Sequence, residues 1–382
     1  MRLALITIGK ELLDGRIRNT NAEFIMSHLN TLGYETQLHL TVNDDYGQIE
    51  EALIYLDKKA DIFILTGGLG STNDDITKDV IENYLLERDY SLELLENRFG
   101  IAKGRVYNSK DKKYVLFPGP PRELEPMFID YIYKEMENKN DFIVKNKIYR
   151  ISFLTEGQTF RLIEKEGFDS LNEVTTYIDN ENSVYIQLNL KGHEEVEDRF
   201  EEIDKKINKI FGNLIYSNDH RKREEIFVEK MIEENLSIAS AESFTGGNIA
   251  SSLIKIANAS KIINKSFVTY SNEAKMEILG VDSRTIQEFG VVSKEVCQEM
   301  LEGLSRISGA DLSIATTGYA GPSGEEVGRA YIGLRYRQVN YIFEHKFIGT
   351  RDIIIEKGKN AAIDYGLLLL RGKINNIEIP ML

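Results

Sequence analysis

Short runs of apolar residues alternate with amphipathic segments over the first 140 residues of the chain. The runs predict strands, and the segments, in which apolar positions recur every three or four residues, predict helices. The predicted strands are Arg2–Ile8, Glu35–Val42, Asp61–Thr66 and Lys113–Phe117. The predicted helices are Asn19–Leu32, Tyr46–Asp57, Ile76–Glu87 and Pro121–Asn138. This alternation predicts a mostly parallel sheet, with ligand sites at the carboxyl ends of its strands.

A polar linker at Asn138–Asp141 separates this region from a small α+β module. Its predicted strands are Lys147–Leu154, Glu173–Ile178 and Ser183–Leu190, and its predicted helices are Gln158–Glu166 and Glu194–Phe211. The module has about the size of a KH domain, but its glycines never show the GxxG spacing with which KH domains clamp a nucleic-acid backbone. We therefore expect a structural connector that does not read RNA or DNA.

A second polar segment, Ser217–Glu224, marks a hinge beyond which the α/β alternation returns. The predicted elements are strand Leu236–Ala239, helix Gly246–Ile256, strand Lys265–Tyr270, helix Ser293–Ile307, strand Leu312–Thr317, a hairpin over Arg329–Ile348 and a final helix from Arg351 to Leu370. The chain is thus predicted to hold two α/β domains with mostly parallel sheets, residues 1–140 and 220–382, joined by a KH-like α+β domain at 145–217.

Composition narrows the possible functions. The chain has 382 residues with a formal charge of −14, which disfavours a protein that binds nucleic acid through broad phosphate neutralisation. Cys297 is the one cysteine, so disulfides within the chain and thiolate metal clusters are excluded. The apolar stretch from Leu3 to Ile8 is shorter than a signal-peptide core, and no apolar run is long enough to span a membrane. We expect a soluble, cytoplasmic protein.

The first Gly-rich loop follows the predicted strand that ends at Thr66. Glycines directly after a buried strand let backbone N–H groups approach a phosphate, although they also occur in such turns for packing reasons. The candidate phosphate-binding or nucleotide-binding residues are Gly67, Gly68, Gly70, Ser71 and Thr72.

Acidic residues follow three of the predicted strands. Asp44, Asp75 and Glu11 would lie at one edge of the sheet, where carboxylates beside a phosphate favour a divalent cation such as Mg²⁺, Mn²⁺ or Co²⁺. The alternative is that each is a solvated loop charge and that Asp74 caps the next helix.

A second motif, Ala241–Gly247, places a serine at a predicted strand-to-helix turn. Ser243 would be exposed there as a nucleophile, with the N–H groups near Thr245, Gly246 and Gly247 stabilising an oxyanion. The alternative is that Ser243 or Thr245 only caps the helix.

A serine nucleophile needs a base, and the five histidines lie outside Gly-rich or acidic motifs, which disfavours a Ser-His-Asp triad. A buried lysine can serve instead, and the candidate is Lys275. Small and hydroxyl residues after a further predicted strand suit a polar ligand. They are Thr317, Gly318, Gly321 and Ser323.

Several of these motifs together resemble a known family. GKELLDGRIRNTNAEF, TVNDD, TGGLGSTNDDIT and FPGPPRELEPMF resemble the N-terminal domain of the CinA family, which is similar to molybdopterin-binding domains. AESFTGG, VTYSNEAK, GVVS and TTGYAGPSG resemble the C-terminal CinA domain. The chain departs from the family pattern at Lys10, Ser71 and Asn108–Lys113 in the first domain, and at Phe244, Tyr319 and Ser323 in the last.

The resemblance implies a nicotinamide mononucleotide amidohydrolase that needs no cofactor, with Ser243 as nucleophile, Lys275 as base and Tyr270 assisting. For the first domain it implies metal-dependent ADP-ribose pyrophosphatase activity, and for the whole chain a homodimer. Two alternatives remain open. The first domain could bind nucleotide only as a regulator, or the chain could be a non-catalytic scaffold in competence or DNA damage. A molybdopterin role for the first domain is a third.

Overall fold

The computed structural model describes residues 2–70, 72, 75–136, 143–168, 173–179, 181–324 and 326–376. The chain forms two compact units. One comprises Met1–Val144 and Lys191–Val196, and the other comprises Lys145–Leu190 and Glu197–Leu382. Apart from Lys191–Val196, the segments predicted as connector and C-terminal domain therefore belong to the same unit. The linker predicted at Asn138–Asp141 lies outside the described residues.

The first unit contains a sheet of order β2-β1-β3-β6-β5-β4, in which the first four strands are parallel and the last two antiparallel. The strands are β1 (Leu3–Ile8), β2 (Thr36–Val42), β3 (Ile62–Thr66), β4 (Tyr90–Leu95), β5 (Gly104–Ser109) and β6 (Lys112–Phe117). The helices are α1 (Lys10–Leu13), α2 (Thr20–Thr31), α3 (Tyr46–Asp57), α4 (Thr77–Tyr84) and α5 (Pro121–Met136). Sequence analysis missed β4 and β5, and the departure at Asn108–Lys113 comprises the turn of the β5–β6 hairpin and the strand ends that it joins.

Every residue of β1 and β3 is buried, because apolar clusters cover both faces of the sheet. Such continuous apolar runs are typical of central parallel strands.

The second unit begins with the predicted α+β module. A four-stranded sheet has the order β10-β7-β9-β8. Its elements are β7 (Ile143–Ile151), α6 (Glu156–Lys165), β8 (Val174–Ile178), β9 (Val184–Gly192), α7 (Glu195–Phe211) and β10 (Ile215–Ser217). Ser217, the first residue of the predicted hinge, is therefore paired with β7 in the sheet.

The rest of this unit contains a sheet of order β12-β11-β13-β14-β15. The first three strands are parallel, and β14 and β15 form the predicted hairpin. The strands are β11 (Ile238–Glu242), β12 (Ile263–Val268), β13 (Leu312–Gly318), β14 (Arg329–Tyr336) and β15 (Val339–Lys346). The helices are α8 (Arg223–Glu233), α9 (Asn248–Ile254), α10 (Asn272–Ala274), α11 (Ser283–Phe289), α12 (Lys294–Ser308) and α13 (Arg351–Leu370). A π-helical turn, Lys275–Leu279, continues α10.

Helix α8 starts inside the segment that sequence analysis interpreted as a hinge. Its first residues, Arg223 and Glu224, are charged yet buried. No helix within the described ranges combines the length and apolar character needed to cross a membrane.

Candidate active site

Three motif loops leave the same edge of the C-terminal sheet. Glu242, the last residue of β11, pairs with Val268 at the end of β12 and with Thr316 near the end of β13. The loops that follow carry Ser243, the segment from Thr269 to Lys275, and the residues after Thr317. The parallel strand order therefore brings the motifs together as the sequence predicts.

Ser243 and Lys275 are in contact. Lys275 Nζ lies 3.0 Å from Ser243 Oγ, and it also lies 2.9 Å from the Thr269 carbonyl oxygen and 3.2 Å from the Tyr270 carbonyl oxygen. Lys275 has no exposed surface, and Ser243 is 7% exposed. The predicted nucleophile and base are therefore adjacent in a nearly dry environment.

Burial changes the chemistry of this lysine. Because no carboxylate contacts the ammonium, burial lowers the pKa of Lys275 from its ordinary 10.5 to about 8. A neutral amine has two N–H donors and one lone pair. The ammonium can donate to Ser243 Oγ and to the carbonyls of Thr269 and Tyr270, and the neutral amine can keep both carbonyl bonds while its lone pair accepts the Ser243 hydroxyl proton.

The carboxylate of Glu242 organises the turn that holds Ser243. This buried group accepts hydrogen bonds of 3.0 Å from the backbone N–H groups of Gly247, Ile249 and Ala250. A side-chain carboxylate thus satisfies the first turn of α9, whose N-cap residue is Gly247. The prediction that Ser243 or Thr245 caps this helix is wrong, and sequence analysis missed Glu242 because it belongs to the preceding strand.

The same contacts correct the predicted oxyanion donors. Gly247 N–H is occupied by Glu242, and Gly246 N–H donates to the Ser243 carbonyl at 3.0 Å. Within the described residues, the N–H groups of Phe244 and Thr245 form no hydrogen bond. These two amides, directly after the nucleophile, are the candidate donors. Gly246 and Gly247 instead supply positive φ values of 61° and 92° for the turn.

The predicted substrate-binding hydroxyls are partly used inside the protein. Thr245 Oγ1 lies 2.8 Å from Thr316 Oγ1, and Thr317 Oγ1 donates to the Val291 carbonyl at 2.8 Å. All three threonines are fully buried. Ser323 is exposed at the far end of the loop. The threonines therefore brace the loops against one another.

Tyr270 and an arginine that sequence analysis missed form the rim of the site. The Tyr270 side chain is 59% exposed, and its hydroxyl oxygen accepts a hydrogen bond of 2.9 Å from Arg351 Nη2. The other guanidinium nitrogen of Arg351, Nη1, donates to the Gly321 carbonyl. Arg351 therefore connects two of the three loops, whereas Tyr270 touches Lys275 through its backbone carbonyl.

Phe244, a departure from the family pattern, lies in the core beneath the loop. It is 3% exposed and packs with Ala320, Ala330 and Ile354. A Cβ added at Gly358 would lie 2.4 Å from the Phe244 ring, and one at Gly318 would lie 2.9 Å from it. These glycines provide the space for the aromatic ring. Of the other departures in this domain, Tyr319 is 37% exposed and is available to a ligand.

The glycines of the N-terminal loop are explained largely by close packing. Gly67 and Gly68 have positive φ, and added Cβ atoms would lie 2.2 Å from the Ile8 carbonyl oxygen and 2.2 Å from Thr77 Oγ1, respectively.

Asp75 closes the loop, because its Oδ2 accepts hydrogen bonds from Thr72 N (2.7 Å) and Thr72 Oγ1 (2.6 Å). Burial tends to raise the pKa of Asp75, but hydrogen bonds from Thr72 and Gly70 outweigh it and leave the pKa lowered. Ser71 and Asp74 lie outside the described residues.

The acids predicted to bind metal have other partners. Asp44 Oδ2 accepts a hydrogen bond of 2.9 Å from Lys10 N, and Asp75 is bonded to Thr72. In the described ranges, no three side chains among Asp, Glu, His and Cys form a group that could hold a metal ion. Asp44, Asp75 and Glu11 are therefore not gathered into one such group in the described ranges.

Two family models match the chain. Residues 220–371 match the family described as CinA C-terminal domain, and residues 4–138 match the family described as "Probable molybdopterin binding domain". These ranges coincide with the two regions of α/β alternation.

Full-length relatives match as well. A competence-damage inducible protein of Thermoanaerobacter sp. (strain X514) is 32% identical over 402 residues, covering 95% of this chain and 97% of that protein. One of Caldicellulosiruptor saccharolyticus is 34% identical over 407 residues, covering 95% and 98%. The crystal structure of an Escherichia coli CinA superfamily protein is 31% identical with a TM-score of 0.37, covering 39% of this chain and 88% of that one. The chain belongs to the CinA family of competence-damage inducible proteins.

Proposed function

We propose that this protein is a serine amidohydrolase that converts nicotinamide mononucleotide and water to nicotinate mononucleotide and ammonia. The observation that carries the proposal is the contact of 3.0 Å between Ser243 Oγ and Lys275 Nζ, with the lysine held by two backbone carbonyls. Nicotinamide mononucleotide as substrate follows from the resemblance of the four C-terminal motifs. Arg351 at the rim offers a cation for its phosphate.

The first half of the reaction forms an acyl-enzyme. Neutral Lys275 takes the Ser243 hydroxyl proton while Ser243 Oγ attacks the carboxamide carbon. The negative charge that develops on the carboxamide oxygen is stabilised by the N–H groups of Phe244 and Thr245. Lys275 then gives its proton to the departing nitrogen, the C–N bond breaks, and ammonia leaves.

The second half repeats these steps with water. Lys275 accepts a proton from a water molecule as the water attacks the ester carbon. The C–O bond to Ser243 then breaks, the serine recovers its proton from Lys275, and the product leaves as a carboxylic acid that gives its proton to water or to the released ammonia. The hydroxyl group of Tyr270 contacts Arg351, so we assign this side chain to the substrate rim and the proton transfers to Lys275 alone.

The experiment that tests the proposal is ammonia release from nicotinamide mononucleotide without added metal. Wild type is compared with Ser243→Ala and, as a matched control, with Ser266→Ala, which changes an exposed serine on the neighbouring strand β12. We expect turnover in wild type and the control, and its loss in Ser243→Ala. Turnover that persists in Ser243→Ala, or none in folded wild type, would contradict the proposal.

For the first unit we propose nucleotide binding at the loop that follows β3, which lies at the carboxyl end of a central parallel strand. ADP-ribose with and without a divalent cation tests the finer activity. AMP formation would support a pyrophosphatase, and binding without AMP would support a regulatory nucleotide site. The scaffold alternative predicts neither, and a mobility-shift assay at low salt tests for direct DNA binding.

A further inference from the structure

The turn between β8 and β9 reaches from the α+β module onto the C-terminal part of the same unit. Asn360 Nδ2 of α13 donates to the Glu181 carbonyl at 3.0 Å, and Arg223 Nη2 of α8 donates to Ser183 Oγ at 2.9 Å. Lys222 Nζ adds an exposed ion pair with Glu181 Oε1 at 2.6 Å. Two helices of the amidohydrolase part therefore depend on this turn for hydrogen-bond partners.

Arg223, which contacts Ser183 in this turn, belongs to a buried ionic network. Arg223 pairs with Asp364, and Lys359 pairs with Glu224 at 2.7 Å. These four side chains are between 2% and 5% exposed. Removing charges from water is costly, so a buried ionic network adds little net stability to the fold. We infer that this network instead specifies one arrangement of the helices that it joins. Ser183 Oγ accepts a hydrogen bond from Arg223 Nη2, while Nη1 of the same guanidinium donates to Asp364.

Helix α13 connects this network to the Ser/Lys site. Gly358, one residue before Lys359, packs against the Phe244 ring, and its added Cβ would also lie 3.4 Å from Thr245 Cγ2. Arg351, at the first position of the helix, bonds to Tyr270 and Gly321. It lies nine residues before Asn360, a distance of about 13.5 Å along a rigid helix. A shift of α13 at the network would therefore move both the rim and the support of the nucleophile loop.

We propose that Ser183, directly before β9, positions the Ser/Lys site, because its hydroxyl oxygen accepts a hydrogen bond from Arg223 in the network that fixes α13 and thereby Arg351. The inference rests on the proposed function, in which Arg351 faces the substrate phosphate. Ser183 is a positioning residue that touches no reacting atom. Small displacements of substrate-binding groups have large kinetic effects, so its loss should appear in the kinetics.

The test compares two buried serines of the same module in the full chain. Ser183→Ala removes the hydrogen bond to Arg223, whereas Ser217→Ala removes a local hydrogen bond of 2.7 Å to Asp219 Oδ1. We expect Ser183→Ala to raise KM for nicotinamide mononucleotide about three- to tenfold. Ser217→Ala should change KM less than about twofold, although it loses two hydrogen bonds, the one to Asp219 Oδ1 and one of 3.2 Å that Ser217 Oγ accepts from Asp219 N–H. Equal KM values in the two variants would overturn the proposal.

A double-mutant cycle separates positioning from general loss of stability. If Ser183 acts through Arg351, Ser183→Ala should cause no further rise in KM once Arg351→Ala is present. Effects of the two substitutions that multiply fully would overturn the proposal, because Ser183 would then act by another route.

Hydrogen exchange tests the same coupling without relying on turnover. Amides in the turn of α13 that begins at Ile354, whose N–H donates to the Thr350 carbonyl at 2.9 Å, should exchange faster in Ser183→Ala than in Ser217→Ala, because the network no longer holds the helix. Unchanged exchange in that turn would overturn the proposal. If wild type shows no amidohydrolase activity, the proposed function fails, and the exchange measurement still decides whether the turn fixes α13.

Discussion

Replacing Lys275 with arginine removes the proposed base while keeping a cation at the same position. A guanidinium stays protonated at every working pH and offers no lone pair to the Ser243 proton. General-base catalysis contributes about 10²–10⁴-fold, so kcat for ammonia release should fall by that factor in Lys275→Arg. Circular dichroism of the variant checks that the fold is intact.

The lowered pKa of Lys275 determines how much of this lysine is a free base in wild type. With a pKa of about 8, roughly 9% of the lysine is neutral at pH 7, against about 0.03% at the ordinary value of 10.5. Burial therefore supplies about 300 times more free base at neutral pH. We expect kcat to rise with pH and to level off above an apparent pKa of about 8.

The same shift predicts a pH dependence of folding stability. Because the folded-state pKa is lowered, the folded protein binds fewer protons than the unfolded chain between pH 8 and 10.5. The free energy of unfolding of wild type should therefore rise across this window relative to Lys275→Met, by up to about 3 kcal/mol at 1.36 kcal/mol per pKa unit. Urea unfolding at several pH values measures the difference.

The matched control is Lys357→Arg. Burial also lowers the pKa of Lys357, and its Nζ donates to the Ile348 carbonyl at 2.8 Å, but no serine hydroxyl contacts it. This variant should keep the wild-type kcat and pH profile. A wild-type kcat that does not change between pH 6 and 9, or a Lys275→Arg variant with normal kcat, would refute the reasoning.

Three further predictions concern residues around the dyad. Arg351→Ala should raise KM for nicotinamide mononucleotide about 10- to 100-fold with a smaller change in kcat, because the proposed charge-assisted bond to the substrate phosphate is lost. Steady-state kinetics with the phosphate-free nucleoside is the control, and its KM should be the same in the variant and in wild type. Glu242→Gln should lower kcat about 10-fold or more and lower Tm, since an amide cannot accept the three backbone N–H bonds as well, and a variant with normal kcat would exclude this positioning role. Gly358→Ala should lower Tm because its Cβ clashes with the Phe244 ring. Adding Phe244→Ala should relieve that clash, so the fall in Tm of the double variant should be smaller than the sum of the falls in the two single variants.

The arrangement of the Ser/Lys site follows from sequence to a considerable extent. Short apolar runs place three strands before the three motif loops, and parallel pairing then brings Ser243 and Lys275 to one edge. The residues alone made Lys275 a candidate base and the family resemblance supported it, because spacing alone does not distinguish a buried lysine from an exposed one. The CinA family and the α/β fold class are confirmed by the comparisons.

Other features depend on partners that are distant in the chain. The charges of Arg223 and Glu224 led the sequence analysis to predict a solvated hinge. Both residues are buried because Asp364 pairs with Arg223 and Lys359 pairs with Glu224, more than a hundred residues later in the chain. Arg351 carries no local motif, and its role appears only when helix α13 meets Tyr270 and Gly321. Strand β4 was missed because all but one of its residues are exposed at the edge of the sheet, which leaves no alternation to detect.

The most direct test of the account is to look for the acyl-enzyme. Wild type is mixed with nicotinamide mononucleotide, quenched with acid within the first turnover, digested, and analysed by peptide mass spectrometry. The account predicts a substrate-derived acyl group on Ser243 in the peptide that contains Gly246 and Gly247, and its absence from Ser243→Ala. Ammonia release without any modification of Ser243, or an acyl group on another residue, would contradict it.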